Sequence, residues 1–168
     1  ELKNTNPGHV SALIDILKKI GVYVDIKNSS IYIKSAKKYN SGDIETLPYP
    51  DFPTDLQPQI MSLLATADGI SVITEKIFQD RFTHVLELNR MGANIKIENS
   101  SAIINGVKEI SGAEVMASDL RAGAALVIAG LSAKGSTTIH RIYHIDRGYE
   151  NLVEKITGIG GDIKRVKN

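Results

Sequence analysis

The chain has 168 residues, 42% of them hydrophobic, so one domain of ordinary size is expected, burying about 70% of the surface its unfolded form would expose. With 20 basic against 19 acidic residues the net charge is +1, too weak a field to mark a nucleic-acid or membrane-surface protein, and any anion site must be local. A cysteine count of zero excludes a disulfide scaffold, thiolate metal sites, iron–sulfur clusters and a cysteine nucleophile within these residues, and fits a cytoplasmic chain.

The start, Glu1-Leu2-Lys3-Asn4, has no initiator Met and no signal-peptide pattern, and reads as a cut end. Asn6 can cap a helix and Pro7 can occupy its first turn; Val10, Leu13, Ile14, Leu17 and Ile20 then recur on one face until Gly21 stops it. Val22, Val24 and Ile26 alternate with polar residues, and Asn28-Ser29-Ser30 turns the chain into a second strand, Ile31-Tyr-Ile33. No proline occurs after Pro58, and Leu47 to Pro53 is the densest break.

Beyond the break comes a front half: a capping Thr54, an acidic Asp55, a nearly all-apolar helix from Leu56 to Ala67, and a β-prone stretch ending at Asp80-Arg81. Helix, glycine, strand, turn and strand then repeat, with Ile26-Lys-Asn-Ser-Ser-Ile31 returning as Ile97-Glu-Asn-Ser-Ser-Ala102 and Gly21 as Gly92, both at the same offset. The front half recurs as a capping Ser118, Asp119, an apolar helix from Leu120 to Leu131 and Asp146-Arg147, and Gly160 answers Gly92. The longest apolar run, Ala122 to Ala133, is too short for a bilayer, which needs about 20 residues. Three units are implied, about residues 1–47, 48–112 and 113–168, the first lacking its front half and so truncated at its N-terminus. The expected class is α/β (α+β), with β-α-β-α-β-β units about a pseudo-threefold axis, apolar helices central and sheets outside.

Asp55 has two readings, an ordinary first-turn acid or a base facing a cleft. Arg121, just ahead of the apolar run, needs a partner, and Asp119 is the local candidate, as a structural ion pair or as part of a site. Ile142-Tyr-His-Ile-Asp-Arg-Gly-Tyr149 suits a planar or phosphorylated anion, with Arg147 its ligand or simply a surface residue beside a turn glycine. Asp80-Arg81-Phe82 is the same element in the second unit. His9, His84 and His140 lack metal spacing, and no phosphate loop, dinucleotide fingerprint or nucleophile elbow is present.

Four ordered blocks, Phe-Pro-Thr-Asp-Leu-Gln (52 to 57), Asp-Arg-Phe-Thr-His-Val (80 to 85), Ala-Ser-Asp-Leu-Arg-Ala-Gly-Ala-Ala-Leu (117 to 126) and the 142 to 149 block, resemble the UDP-N-acetylglucosamine 1-carboxyvinyltransferase family of enolpyruvyl transferases, which begin peptidoglycan precursor synthesis. Leu56 stands where that family often has Met. The family enzymes are much longer, so the resemblance implies the C-terminal part of one inside-out α/β barrel domain, with the other domain absent. It implies that Asp55 contacts the sugar hydroxyl and acts as acid/base, that Ile77 gives the UDP-sugar a backbone contact, and that Arg121 and Arg147 hold phosphoenolpyruvate with Asp119 beside them, Asp119 and Arg147 counting with Asp55 as catalytic. The implied reaction adds the sugar 3-hydroxyl to C2 of phosphoenolpyruvate, protonates C3 and eliminates phosphate, with no metal or organic cofactor. The implied partners are UDP-N-acetylglucosamine, phosphoenolpyruvate and the N-terminal domain of the same parent, without nucleic acid or membrane. That domain carries the family's lysine and mobile cysteine, so this chain alone is not expected to turn over. Other readings are a 5-enolpyruvylshikimate-3-phosphate synthase sibling and a non-catalytic repeat scaffold.

Overall fold

The computed structural model describes residues 1–166. The Asn6 side chain accepts a hydrogen bond from the Gly8 amide, and Pro7 opens a 3-10 turn, Pro7–Val10, that continues into α1 (Ser11–Lys19). The face expected to be apolar turns inward, with Ile14 and Ile20 buried and Leu13 and Leu17 partly buried against the core. β1 (Tyr23–Lys27) and β2 (Ser30–Lys34) form an antiparallel hairpin, with Asn28 left-handed at φ 52 in the turn.

β3 (Ile44–Glu45) pairs in parallel with β4 (Ile70–Thr74), and between them lie a 3-10 turn, Thr54–Leu56, and α2 (Gln57–Leu64). α3 (Thr83–Arg90) leads to a second hairpin, β5 (Asn94–Glu98) and β6 (Ser101–Asn105), whose turn holds Asn99 at φ 54. β6 is antiparallel to both β4 and β5, giving a sheet in the order β3-β4-β6-β5. β7 (Glu114–Met116) and β8 (Thr138–His140) repeat the parallel pair across α4 (Leu120–Ser132), followed by α5 (Tyr143–Asp146) and α6 (Leu152–Gly158). The architecture is mixed α/β.

Part of the repeat expected from the sequence is visible in the backbone: helix, glycine and hairpin in the first two copies, helix and glycine alone in the third. Gly21, Gly92 and Gly160 follow α1, α3 and α6 at φ 95, 92 and 94, a conformation that L side chains rarely adopt, so glycine ends each helix. Leu2 bridges Ile31 as Ile73 pairs with Ala102, the second pair lying at the same offset from the first as Gly92 from Gly21.

α2 and α4 pack on each other through their most buried faces. Ala122, Gly123, Ala124, Ala125 and Ala129 keep α4 thin, and the Ser62 hydroxyl of α2 donates across to the Ala125 carbonyl at 2.9 Å. Met61, Leu64, Ile73, Leu88, Met91, Ile104 and Leu126 are fully buried around this contact, each contributing about 2 kcal/mol or more through area removed from water.

Several local expectations are corrected. Thr54 does not cap by its side chain; Pro53 precedes the turn, and the Thr54 hydroxyl bonds to Glu75. Ser118 is likewise not the cap of α4, a role taken by Asp119, whose carboxylate accepts from two backbone amides. Residues 142–149 form a short helix and turn rather than extended chain, and residues 161–166 form no strand. β3 lies before the proline-rich break yet belongs to the sheet of the following unit.

Candidate active site

The Pro53–Leu56 turn delivers Asp55 to the mouth of α2, and the parallel β3–β4 pairing brings the segment after β4 alongside it. Asp55 Oδ1 accepts from Arg81 Nη1 at 2.7 Å, and Asp55 Oδ2 from Arg121 Nη2 at 2.7 Å. One carboxylate therefore joins two guanidinium groups, one from the loop before α3 and one from the first turn of α4. The Arg121 hydrogen bond, with Arg81 adding to it and burial opposing, holds the Asp55 carboxyl below the usual carboxylate range.

Each arginine is itself oriented. Arg81 Nη1 also donates to Thr54 Oγ1 at 3.1 Å, and its guanidinium lies 5.2 Å from the Phe78 ring. Arg121 Nη1 donates to the Tyr149 hydroxyl at 3.2 Å, which also accepts from Gln59 Nε2 at 3.1 Å. Tyr149 ties the segment after α5 to both α2 and α4.

Asp119 lies beside this group but is not the partner of Arg121, which corrects the local ion-pair reading. Its Oδ1 accepts the amides of Arg121 and Ala122 at 2.8 and 2.9 Å, and its Oδ2 faces the hydroxyls of Thr83 and Ser118. With those lone pairs directed at the helix start, the guanidinium two residues on reaches outward to Asp55. Burial pushes Asp119 up, but the amides of Ala122 and Arg121 and the two hydroxyls outweigh it and hold the acid below its ordinary range.

Ile77 is exposed, and its amide donates to Glu75 Oε1 at 3.1 Å, so the backbone group it can still offer is the carbonyl. Arg147 ends α5 exposed to solvent, two residues before Tyr149, and the acid beside it, Asp146, pairs instead with Arg165. His84 is buried, with Nε2 3.1 Å from Met61 Sδ, and burial pushes its imidazole down to about 4. Among the described residues no group of three or more His, Asp or Glu gathers as a metal site would require.

The structure thus brings Asp55, Arg121 and Asp119 together and adds Arg81, Tyr149, Thr54 and Glu75, which sequence reasoning left out. For Arg81 a signal existed: Asp80-Arg81 recurs as Asp146-Arg147, in step with Gly69 and Gly135, marking the same place in two units. Thr54 recurs as Ser118, but as a capping position rather than a site residue, and Glu75 carries no such mark.

A family profile described as EPSP synthase (3-phosphoshikimate 1-carboxyvinyltransferase) matches residues 1–156. The chain is 52% identical over 166 residues to UDP-N-acetylglucosamine 1-carboxyvinyltransferase of Desulfatibacillum aliphaticivorans, covering 99% of the chain and 40% of that protein. It is 55% identical over 162 residues to the enzyme of that name from Desulforapulum autotrophicum, covering 96% of the chain and 39% of that protein. The chain therefore spans about 40% of the length of the curated relatives it matches. Among solved structures, the enolpyruvyl transferase NikO from Streptomyces tendae superposes with a TM-score of 0.85 at 28% identity, over 95% of this chain and 39% of that one. An EPSP synthase from Acinetobacter baumannii superposes at 0.70 with 18% identity, over 94% of this chain and 38% of that one, a likeness of fold alone.

Proposed function

Because the chain belongs to the EPSP synthase family of enolpyruvyl transferases, we propose that it supplies one wall of the active site of a UDP-N-acetylglucosamine 1-carboxyvinyltransferase, with the rest of the relatives' length supplying the other. Identities of 52 and 55% to enzymes of that name, against 18% to an EPSP synthase, support the UDP-sugar over a shikimate phosphate as acceptor. The same reading assigns an inside-out barrel of pseudo-threefold units, supported by the repeated helix–glycine–hairpin blocks and by the burial of α2 and α4. Its soluble substrates imply a cytoplasmic site of action, and no helix among the described residues is long and apolar enough to cross a membrane.

The observation that carries the proposal is the single carboxylate of Asp55 held between Arg81 and Arg121. An ionised carboxylate offers about four lone-pair positions and two are in use, so a sugar hydroxyl can donate to a third. With both guanidinium groups in place the carboxylate is a weak base. Phosphoenolpyruvate carries a phosphate and a carboxylate, both suited to guanidinium forks, and competes with Asp55 for Arg121. As Arg121 is shared with the incoming anion, the proton affinity of Asp55 rises at the moment the sugar 3-hydroxyl needs a base. The hydroxyl gives its proton to Asp55 as its oxygen adds to C2 and C3 takes up a proton; loss of one C3 proton together with departure of phosphate then restores the double bond, and Arg121 and exposed Arg147 meet the charge that gathers on the leaving group. Asp119 keeps the start of α4 intact and so keeps Arg121 aimed, and Ile77 offers its carbonyl to the nucleotide sugar.

The test is phosphate release from phosphoenolpyruvate by the complete protein carrying this chain, with UDP-N-acetylglucosamine or shikimate 3-phosphate as acceptor. Turnover is expected with the UDP-sugar alone, and Asp55→Ala should lower it by roughly 100-fold or more. Release with shikimate 3-phosphate would overturn the acceptor assignment, and undiminished turnover of Asp55→Ala the base. The 168-residue chain by itself should release none, because closure around the reactants needs both walls.

A further inference from the structure

Glu75, the residue that follows β4, is a fully buried carboxylate, and the reaction described above makes no use of it. Burying an ion without partners costs several kcal/mol, so the arrangement of its partners tells what it is kept for. Oε1 accepts from the Thr46 hydroxyl, the Ile77 amide at 3.1 Å and the Phe78 amide at 3.0 Å. Oε2 accepts from the Thr54 hydroxyl at 3.0 Å. The Thr46 oxygen in turn accepts the Lys76 amide at 2.9 Å, so three successive amides, 76 to 78, are committed to this one centre.

The Thr54 bond sets a direction. A hydroxyl has one proton; because that proton goes to Glu75, only the lone pairs of Thr54 Oγ1 face Arg81, whose Nη1 donates to them and to Asp55 Oδ1. The chain of donors runs Arg81 to Thr54 to Glu75, and the negative charge at its buried end strengthens every link. The Phe78 ring, placed by the amides that Glu75 binds, closes over the same guanidinium at 5.2 Å.

Resting on the reading of Asp55 given above, we propose that Glu75 is a positioning residue for this site: through the Thr54 hydroxyl and the 76–78 backbone it fixes the Arg81 guanidinium on Asp55, so that Asp55 keeps one oriented cation when Arg121 turns to the anionic substrate. The Ile77 and Phe78 amides and the Thr46 hydroxyl need only Oε1, so the bond from Thr54 to Oε2 is the part of the arrangement that reaches the site. Oε1 thus holds the 76–78 backbone and Oε2 sets the direction of the Thr54 hydroxyl, both from one buried carboxylate.

The test uses Glu75→Gln, which keeps the shape but presents an NH₂ group where Oε2 accepted, forcing Thr54 to reverse its proton and compete with Arg81. Thr54→Val removes the relay while leaving the other three donors to Glu75 in place, and Thr54→Ser restores it. The readout is the carboxyl carbon shift of Asp55 followed by NMR against pH in the 168-residue chain. Both Glu75→Gln and Thr54→Val should move the Asp55 titration upward, toward the ordinary carboxylate range, while Thr54→Ser and a control, Asp68→Asn, titrate as the parent does. In the complete protein, the first two should lower kcat about tenfold with little change in KM for the UDP-sugar. An Asp55 titration unmoved in Thr54→Val, with other resonances unchanged, overturns the relay, whether or not Glu75→Gln folds. Failure of the enolpyruvyl transfer reading would appear separately, as a parent protein without turnover whose Asp55 still responds to these substitutions.

Discussion

Replacing Gly123 by Ala sets two effects of known size against each other. In an unobstructed helix interior, glycine to alanine stabilises by about 1 kcal/mol. At position 123 the added Cβ would sit 2.5 Å from Ile145 Cγ1, 3.1 Å from Ile145 Cδ1 and 3.3 Å from Ala117 Cβ. Ile145 is 5% exposed and β-branched, so Cγ1 cannot swing aside without rotating χ1 or shifting α5 bodily. Overpacking of this kind costs about 1–3 kcal/mol. The expected result is a net loss of roughly 1 kcal/mol by urea unfolding, the opposite sign to an ordinary helix glycine. A double-mutant cycle isolates the cause: Ile145→Ala alone should cost about 2–4 kcal/mol, and the pair should be less destabilising than the two singles added, by about 1 kcal/mol or more. Because α5 leads directly to Arg147 and to Tyr149, whose hydroxyl meets Arg121, the single variant should also disturb the site. A stabilised Gly123→Ala, or strict additivity with Ile145→Ala, would refute the view that α4 carries glycine here so that α5 can dock.

Asp55→Asn should change stability little at pH 7, by about 1 kcal/mol or less, because its side chain is 48% exposed and solvent screens both ion pairs. Its acid is held below the unfolded value, so the contribution is complete above about pH 4 and disappears as pH falls through the folded-state value. Urea midpoints of parent and variant should therefore differ by a constant amount from pH 8 to 5 and converge in acid; a gap that widens on acidification contradicts the pairing. For His84 the unfolded imidazole takes up a proton near pH 6.5 and the buried one only near 4, so stability should fall between these values, by up to roughly 3 kcal/mol. His84→Leu should flatten that part of the stability profile, and an unchanged slope would mean that the loss on acidification comes from other groups.

What could be read from the sequence was decided over short distances. Asn6 and Pro7 start a helix, Gly21, Gly92 and Gly160 end three, and Asn28 and Asn99 turn two hairpins, because each outcome depends on the allowed φ of one residue and on hydrogen bonds to its neighbours. The repeat was legible for the same reason, since every copy needs the same residue types at the same local steps. The partner of Arg121 was not. Asp119, two residues away, is the nearer acid along the chain, but capping commits one of its oxygens to the Arg121 and Ala122 amides, and the Arg121 guanidinium pairs with Asp55, 66 residues distant. Arg81 comes to the same carboxylate from 26 residues along the chain, and Glu75 lies behind it. Those pairings exist only once α2 has packed against α4 and β3 beside β4, and the pattern of apolar residues that drives such packing says that helices meet, not which polar groups at their ends will face each other.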